Sequence, residues 1–481
     1  MTQSASNIVA SLRSTFATGR TRSLDWRRSQ LKALHNMLSE QEARFLEALW
    51  RDLRKSKQET AATELLMVKG EIAKLSKELT HLAAPTKPPK TFISRMDGLA
   101  IQPQPLGVAL IIGAWNYPIQ LVLLPLAGAI AAGNCAVVKP SEIAEASAAL
   151  LAELLPKYLD QDCVRVVCGG VEETQQLLEQ RFDTIFYTGS SRVARIVMAA
   201  ASKHLTPVTL ELGGKSPVYV SHGIDLELVS RRLAWGKFMN AGQTCIAPDY
   251  VLCPPDLMQP LADALAARVI EFFGENPRDS PDYGRIVSDR MFDRLSGLLS
   301  ETKAKRVVGG DPDKAERFIP PTVFVDVKPD DALMREELFG PILPILPVRG
   351  GVDEAIELIN AGEKPLALYA FTNDASVRRR FEDSTSSGAL VFNDVVIHAG
   401  IDTLPFGGVG ESGMGCYHGV YTFQAFSHRR SVLYKNASAI SEAVNSRFRY
   451  PPYNESKLGW ISWALSSSVS DKGGWNSCQL L

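Results

Sequence analysis

The sequence has no long uninterrupted apolar run, no Cys-x-x-Cys pair and no excess of either charge. Each absence removes a class of protein. The longest apolar stretch, residues 106–132, is interrupted by Asn116, Pro118, Gln120 and Pro125, so no run reaches the roughly 20 residues that a spanning helix requires. A buried strand, a polar loop and a buried helix fit it better. Seven cysteines, at 135, 163, 168, 245, 253, 416 and 478, are odd in number and widely spaced. That argues against a disulfide framework and a structural zinc site, and for a reducing compartment. A net charge of −1 gives no overall attraction to nucleic acid or to an anionic membrane. Met1-Thr2-Gln3-Ser4 leads into a polar, helix-like stretch with no basic-then-apolar leader, which argues against secretion.

What is present is ordinary in bulk and specific in detail. At 481 residues, 45% hydrophobic and 22% charged, the chain is too long for one core, and two or three domains are expected. Residues 1–80 repeat apolar side chains at helical spacing, as in Phe45, Leu46, Leu49 and Trp50. Residues 84–105 hold Pro85, Pro88, Pro89, Pro103 and Pro105 and suit extended chain. From Gly107, β-rich runs (Val108–Ile112, Cys135–Val138, Val164–Val167, Thr184–Tyr187, Val218–Val220) alternate with Ala- and Leu-rich helical stretches. That alternation predicts an α/β fold with parallel sheets. After about residue 436, Ser, Asn, Gly and Pro become frequent, and 438–481 reads as an appended, flexible tail.

The densest chemical signal is Asn240-Ala-Gly-Gln-Thr-Cys-Ile-Ala-Pro248. Cys245 lies there in a polar, Gly-containing loop. A lone cysteine is more often a small core residue than a nucleophile. Val208-Thr-Leu-Glu-Leu-Gly-Gly-Lys-Ser-Pro217 places Glu211 inside an apolar run. A buried carboxylate is costly and is usually paired or functional. Glu211 is therefore either satisfied by backbone or a general base with a raised pKa.

Together these segments closely resemble the aldehyde dehydrogenase superfamily. The likeness runs from about Ser11 to about Leu433. His204–Pro217, Gly242–Tyr250 and Leu404-Pro-Phe-Gly-Gly-Val-Gly410 resemble its class 3 branch, the fatty and aromatic aldehyde dehydrogenases. The resemblance implies oxidation of medium- to long-chain aliphatic, lipid-derived or aromatic aldehydes to carboxylic acids, through a thiohemiacetal and a thioester on Cys245. Asn116, in Gly113-Ala-Trp-Asn-Tyr-Pro118, would supply an oxyanion donor together with the Cys245 N–H; by itself it reads as a turn residue. Glu211 would activate the hydrolytic water. Its presence counts against a coenzyme-A-acylating enzyme, and the set Asn116, Glu211 and Cys245 counts against a catalytically silent scaffold.

The same resemblance implies a nicotinamide dinucleotide site, NAD preferred and NADP possible. Lys139 and Glu142 would bind the adenosine ribose, and the Glu142 carboxylate would disfavour a 2′-phosphate. Gly189, Ser190, Val193 and Ala194 would carry the pyrophosphate at a helix N-terminus, with Ala194 standing where the family usually has Gly. Glu337 and Phe339 would hold the nicotinamide ribose and ring. Tyr117, Trp235 and Phe406 are candidate walls of a substrate tunnel, with a core role the alternative for each. No metal site is expected. The implied fold has a Rossmann-like dinucleotide domain (1–83 and 102–210), an α/β catalytic domain (211–424), a small β bridging element (84–101 and 425–437) and the tail, assembled as a homodimer. Cys478-Gln-Leu-Leu481 matches a C-a-a-X prenylation motif of the geranylgeranyl type. A single lipid usually needs a second signal; Leu458-Gly-Trp-Ile-Ser-Trp-Ala-Leu465 offers apolar, Trp-bearing surface for one, or packs on the protein's own body. This places the chain in the cytoplasm, at the cytoplasmic face of a membrane.

Overall fold

The computed structural model describes residues 4–466; Cys478 lies outside them. The first 80 residues are helical, as the spacing predicts: Ala5–Ala17, Leu24–Glu40, Glu42–Leu53 and a long helix from Leu66 to Ala83. Ser4, Ser23 and Ser56 accept hydrogen bonds from the N–H groups of Asn7, Trp26 and Glu59. Each serine thereby satisfies a donor that the first turn leaves open.

Among the described residues fifteen strands follow: β1 Gly98–Pro105, β2 Val108–Ile112, β3 Cys135–Lys139, β4 Val164–Val166, β5 Thr184–Thr188, β6 Val208–Glu211, β7 Pro217–Val220, β8 Tyr250–Cys253, β9 Lys305–Val308, β10 Thr322–Val325, β11 Ile342–Pro347, β12 Ala367–Phe371, β13 Ala389–Phe392, β14 Gly413–Met414 and β15 Ser427–Tyr434. The chain divides into two compact units. The larger, up to Leu79 and from Pro105 to Phe426, holds two sheets. One runs β14-β6-β5-β2-β3-β4, parallel except for β14. The other runs β13-β12-β7-β8-β11-β10-β9, parallel except for β9. Every residue of β2, β3 and β5 is buried, because helices cover both faces of such a sheet; this is why they read as unbroken apolar runs. The helix Gln120–Ala132 is buried along its whole length. Among the described residues no helix is long and apolar enough to cross a membrane.

In the six-stranded sheet the chain steps outward from β2 through β3 to β4, then returns to lay β5 and β6 on the other side of β2. The loops after β2 and β5 leave this reversal point in opposite directions, and the crevice between them is where an open α/β sheet binds ligands. Asn116 follows β2, Gly189 and Ser190 follow β5, and Glu211 ends β6.

The smaller unit, residues 80–104 and from Ser427 onward, pairs β1 with β15. The Pro-rich 84–105 segment is extended only in part. Residues 92–96 form turns, where the Thr91 N–H donates to Ser94 Oγ at 2.9 Å and Asp97 accepts from Lys435 Nζ and the Asn436 N–H at 3.0 Å each. The described part of the tail is helical, over Ala439–Phe448 and Glu455–Ser466. Ser438 and Asn454 cap these helices, accepting from the N–H groups of Ser441 and Lys457. The Ser and Asn content that suggests loose chain supplies the caps.

A buried ion pair ties the N-terminal helices to the loop after β2. Lys55 and Glu64 have fully buried side chains with Nζ and Oε1 2.7 Å apart. Glu64 Oε2 accepts from the N–H groups of Ile119 and Gln120 at 2.9 and 3.1 Å. Lys55 Nζ also donates to the Asn116 carbonyl at 3.1 Å and lies 4.1 Å from the centre of the Tyr117 ring. Glu64→Ala strands the Lys55 charge and is expected to cost about 3–5 kcal/mol, read from the shift in denaturant midpoint. A loss below about 1 kcal/mol, the size expected of an exposed pair, contradicts this role.

Candidate active site

Cys245 is presented by an unusual turn. Asn240, Ala241 and Gly242 are left-handed in succession, with φ of 52°, 50° and 76°. Glycine is required at 242, where a Cβ would lie 2.2 Å from the Gly340 carbonyl oxygen. Asn240 and Ala241 hold a costly conformation, and side chains fix it. Asn240 Nδ2 donates to the carbonyls of Asn116 and Gln243 at 2.8 and 3.2 Å. Gln243 Nε2 donates to the carbonyls of Asn240 and Arg285 at 3.0 and 2.9 Å, and its Oε1 accepts from the Val287 N–H at 3.0 Å. Asn116 Nδ2 donates one hydrogen to the Gln243 carbonyl at 3.1 Å, leaving its second hydrogen for another acceptor. The Tyr117 hydroxyl meets Thr244 Oγ1 at 2.7 Å.

Cys245 lines two cavities. The larger, about 710 Å³, is also lined by Asn116, Gly189, Ser190, Glu337 and Phe339; its size suits an extended cofactor. The smaller, about 70 Å³, is lined by Tyr117, Met239, Val396, Phe406 and His418 as well as Cys245, and is mostly apolar. Trp235 lines neither; it lies 41% exposed on the helix Leu226–Phe238. Lys139 ends β3, buried, and its Nζ meets Glu142 Oε2 at 2.5 Å; neither residue lines the larger cavity. Ser190 caps the helix Ser191–Ser202 through the Val193 N–H. Ala194 is buried in the first turn of that helix. At Gly189 a Cβ would lie 2.2 Å from the Tyr187 hydroxyl, so only glycine lets the chain turn there.

Glu211 is 2% exposed, and neither carboxylate oxygen has a hydrogen-bond partner. Burial alone raises its pKa well above the usual carboxylate range. The Cys245 thiol is pushed up to about 12, by burial first and then by the charges of Glu337 and Glu211. The amides of Cys245 and Ile246 oppose this by donating toward the sulfur. Glu337 is pushed up to about 8 by burial and by Asp249, against the Gly214 N–H, Lys215 and Arg294. It fits because residue 213 is glycine: a Cβ there would lie 2.7 Å from both Glu337 carboxylate oxygens.

Lys55, Glu64, Asn240 and Gln243 are the residues of this site that sequence reading passes over. Asn240 and Gly242 carried a signal, since Asn and Gly favour a positive φ. The others look like ordinary polar positions.

The larger cavity fits a dinucleotide. The buried Thr188 hydroxyl at its wall has no partner within the protein, and a helix N-terminus begins at Ser191. Comparison with known proteins agrees. The model of the "Aldehyde dehydrogenase family" matches residues 2–432. Aldehyde dehydrogenase family 3 member A2 of Mus musculus is 51% identical over 457 residues, covering 95% of this chain and 93% of that protein. The dimeric, NADP-preferring aldehyde dehydrogenase of Rattus norvegicus is 49% identical, covering 93% of this chain and 98% of that protein. The substrate-bound structure of Staphylococcus aureus AldH superposes with a TM-score of 0.92 at 41% identity, covering 96% of this chain and 99% of that one. With its two sheets and its cysteine between two cavities, the chain belongs to the aldehyde dehydrogenase family, in the class 3 branch, and is an NAD(P)-dependent oxidoreductase of aldehydes.

Proposed function

We propose that the chain oxidises medium- to long-chain aliphatic, lipid-derived and aromatic aldehydes to free carboxylates, with Cys245 as nucleophile and Glu211 as hydrolytic base. One observation carries this reading. Cys245 stands between a large cavity and a small apolar one, and the unpartnered Glu211 carboxyl is close enough to perturb its thiol.

The carbonyl end of the aldehyde would enter by the smaller cavity, whose volume of about 70 Å³ takes only the part of the chain next to the carbonyl, against Tyr117 and Phe406. The Cys245 thiol gives up its proton to water, and attack of its sulfur on the carbonyl carbon breaks the C=O π bond and places negative charge on oxygen. The free hydrogen of Asn116 Nδ2 and the Cys245 N–H are the preplaced donors for it. The dinucleotide, held by Lys139, Glu142, Gly189, Ser190, Val193, Ala194, Glu337 and Phe339, supplies the acceptor for the two electrons lost as the aldehyde carbon becomes an acyl group. Glu211 takes a proton from water, the water oxygen attacks the thioester carbon, and the C–S bond breaks to release the acid. Glu142, beside Lys139, favours a free ribose hydroxyl over a 2′-phosphate, so NAD is preferred and NADP accepted. A homodimer follows the relative described as dimeric. Cys478-Gln-Leu-Leu481 is proposed as a prenylation signal, which would hold the enzyme at the cytoplasmic face of a membrane.

With decanal, Cys245→Ser is expected to abolish NADH formation. Glu211→Gln is expected to give one equivalent of NADH in a burst, then turnover slowed about 10²–10⁴-fold. Wild-type turnover by Cys245→Ser, or no burst in Glu211→Gln, contradicts the assignment.

The raised pKa of Glu211 fixes the direction of the pH profile. An acid raised by burial is protonated, and idle as a base, until the pH passes well above the usual carboxylate range. Steady-state turnover is therefore expected to go on rising with pH above the usual carboxylate range, whereas the burst of Glu211→Gln lacks the step due to Glu211. A wild-type profile flat from pH 6 to 9 contradicts it.

Expressed in eukaryotic cells, wild type is expected in the membrane fraction and Cys478→Ser to shift toward the soluble fraction. Identical distributions remove the lipid anchor.

A further inference from the structure

Glu337 and Phe339 lie on the stretch that joins the short helix Ala332–Met334 to β11. This stretch is a partition between two cavities. On one side, Glu337 and Phe339 line the dinucleotide-sized cavity. On the other side a second cavity, about 700 Å³, is lined by Glu337 together with Gly214, Lys215, Met334 and Glu336. With open space behind it, the stretch takes its path from hydrogen bonds more than from packing. Phe339 is left-handed, with φ of 48°, which a residue other than glycine adopts only when its surroundings impose it.

The bonds come chiefly from two residues. Lys215 Nζ donates to the carbonyls of Leu333 and Glu336 at 2.9 Å each. Asp249 Oδ1 accepts from the Leu338 N–H at 2.9 Å. Lys215 Nζ and Asp249 Oδ2 also pair with each other. All three ammonium hydrogens and both carboxylate oxygens are thereby used. Arg294 adds bonds to the carbonyls of Glu337, at 3.2 Å, and Leu338. Lys215 and Asp249 are themselves fixed by the sheet. Each stands just before a strand of one parallel pair, with Pro217 of β7 opposite Tyr250 of β8, and the Asp249 N–H donates to the Ser216 carbonyl at 2.8 Å. The pair is a bracket on a rigid base, and residues 333–338 hang from it.

We propose that Lys215 and Asp249 are positioning residues for the dinucleotide, holding residues 333–338 so that Glu337 and Phe339 face its nicotinamide half. The inference rests on the assignment of Glu337 and Phe339 to the cofactor. A buried ion pair is often no more stabilising than an apolar pair of the same volume, so stability alone gives little reason for charges here. Three bonds to the backbone of one cofactor-facing stretch do, since a binding group is only as precise as the shell that supports it.

Lys215→Met combined with Asp249→Leu removes these bonds and strands no charge. The two charges act on Glu337 in opposite senses, so their joint loss leaves geometry as the main change. NADH binding, titrated by fluorescence without aldehyde, is expected to weaken about tenfold or more. The KM for NAD is expected to rise by a similar factor and the KM for decanal to stay within about twofold, with the thermal midpoint close to that of wild type. Asp249→Asn, which keeps an acceptor for the Leu338 N–H and is the milder change to the fold, is expected to weaken NADH binding about threefold. Wild-type NADH affinity in both variants overturns the proposal. So does a rise in the decanal KM equal to that for NAD, the mark of a general loss of structure. Glu337→Gln separates this inference from the one beneath it: wild-type NADH affinity there overturns the cofactor assignment itself. NADH binding uses neither Cys245 nor Glu211, so the result does not depend on their roles.

Discussion

The chemistry depends on a small hydrogen-bonded lock around the turn that carries Cys245. Asn240 and Ala241 are left-handed without being glycine, at about 1–3 kcal/mol each. The turn persists because Asn240, Gln243 and Asn116 bind one another's carbonyls and those of their neighbours inside the protein. Asn116 is thus a strut of the turn as well as the proposed oxyanion donor, which couples the position of the sulfur to that of the amide beside it. The buried Lys55–Glu64 pair extends the lock to the N-terminal helices through the Asn116 carbonyl. Residues far apart in sequence thereby share one rigid frame, and preorganisation of that kind is what makes donors effective in a transition state.

Cys245, Glu211 and Glu337 are three proton-bearing groups held out of water near one another. Each resists ionisation, chiefly through burial, and the two carboxylates add to the effect at the sulfur. The arrangement favours the thiol form of Cys245, the proposed nucleophile, which is less open to oxidation than a thiolate. It also keeps Glu211 free of partners within the protein, so that its carboxylate can accept a hydrogen bond from a water molecule. A carboxylate paired with lysine would hold its proton more loosely and be a weaker base.

The fold was largely legible because its determinants are periodic. Val108–Ile112 and Cys135–Val138 lie in a sheet covered on both faces, so burial writes them as unbroken apolar runs. Glu211 and Cys245 were legible because a carboxylate in an apolar run and a cysteine in a glycine-bearing loop each break a local rule. Lys55 and Glu64 break none; their burial comes from tertiary packing that no local window contains. Trp235 shows the converse. Its neighbours Ala234 and Gly236 are buried, but the indole points outward from its helix, and proximity in sequence to the catalytic loop says nothing of which helical face a side chain occupies.

The central claim is that the acyl group rests covalently on Cys245 and leaves only when Glu211 activates water. Intact-mass spectrometry of the Glu211→Gln enzyme, quenched in acid after mixing with decanal and NAD, tests it most directly. The account requires a gain equal to one decanoyl group in place of hydrogen, located on the peptide that contains Cys245 and absent from Cys245→Ser. An unmodified protein that has nonetheless formed NADH, or an adduct on any other residue, would contradict it.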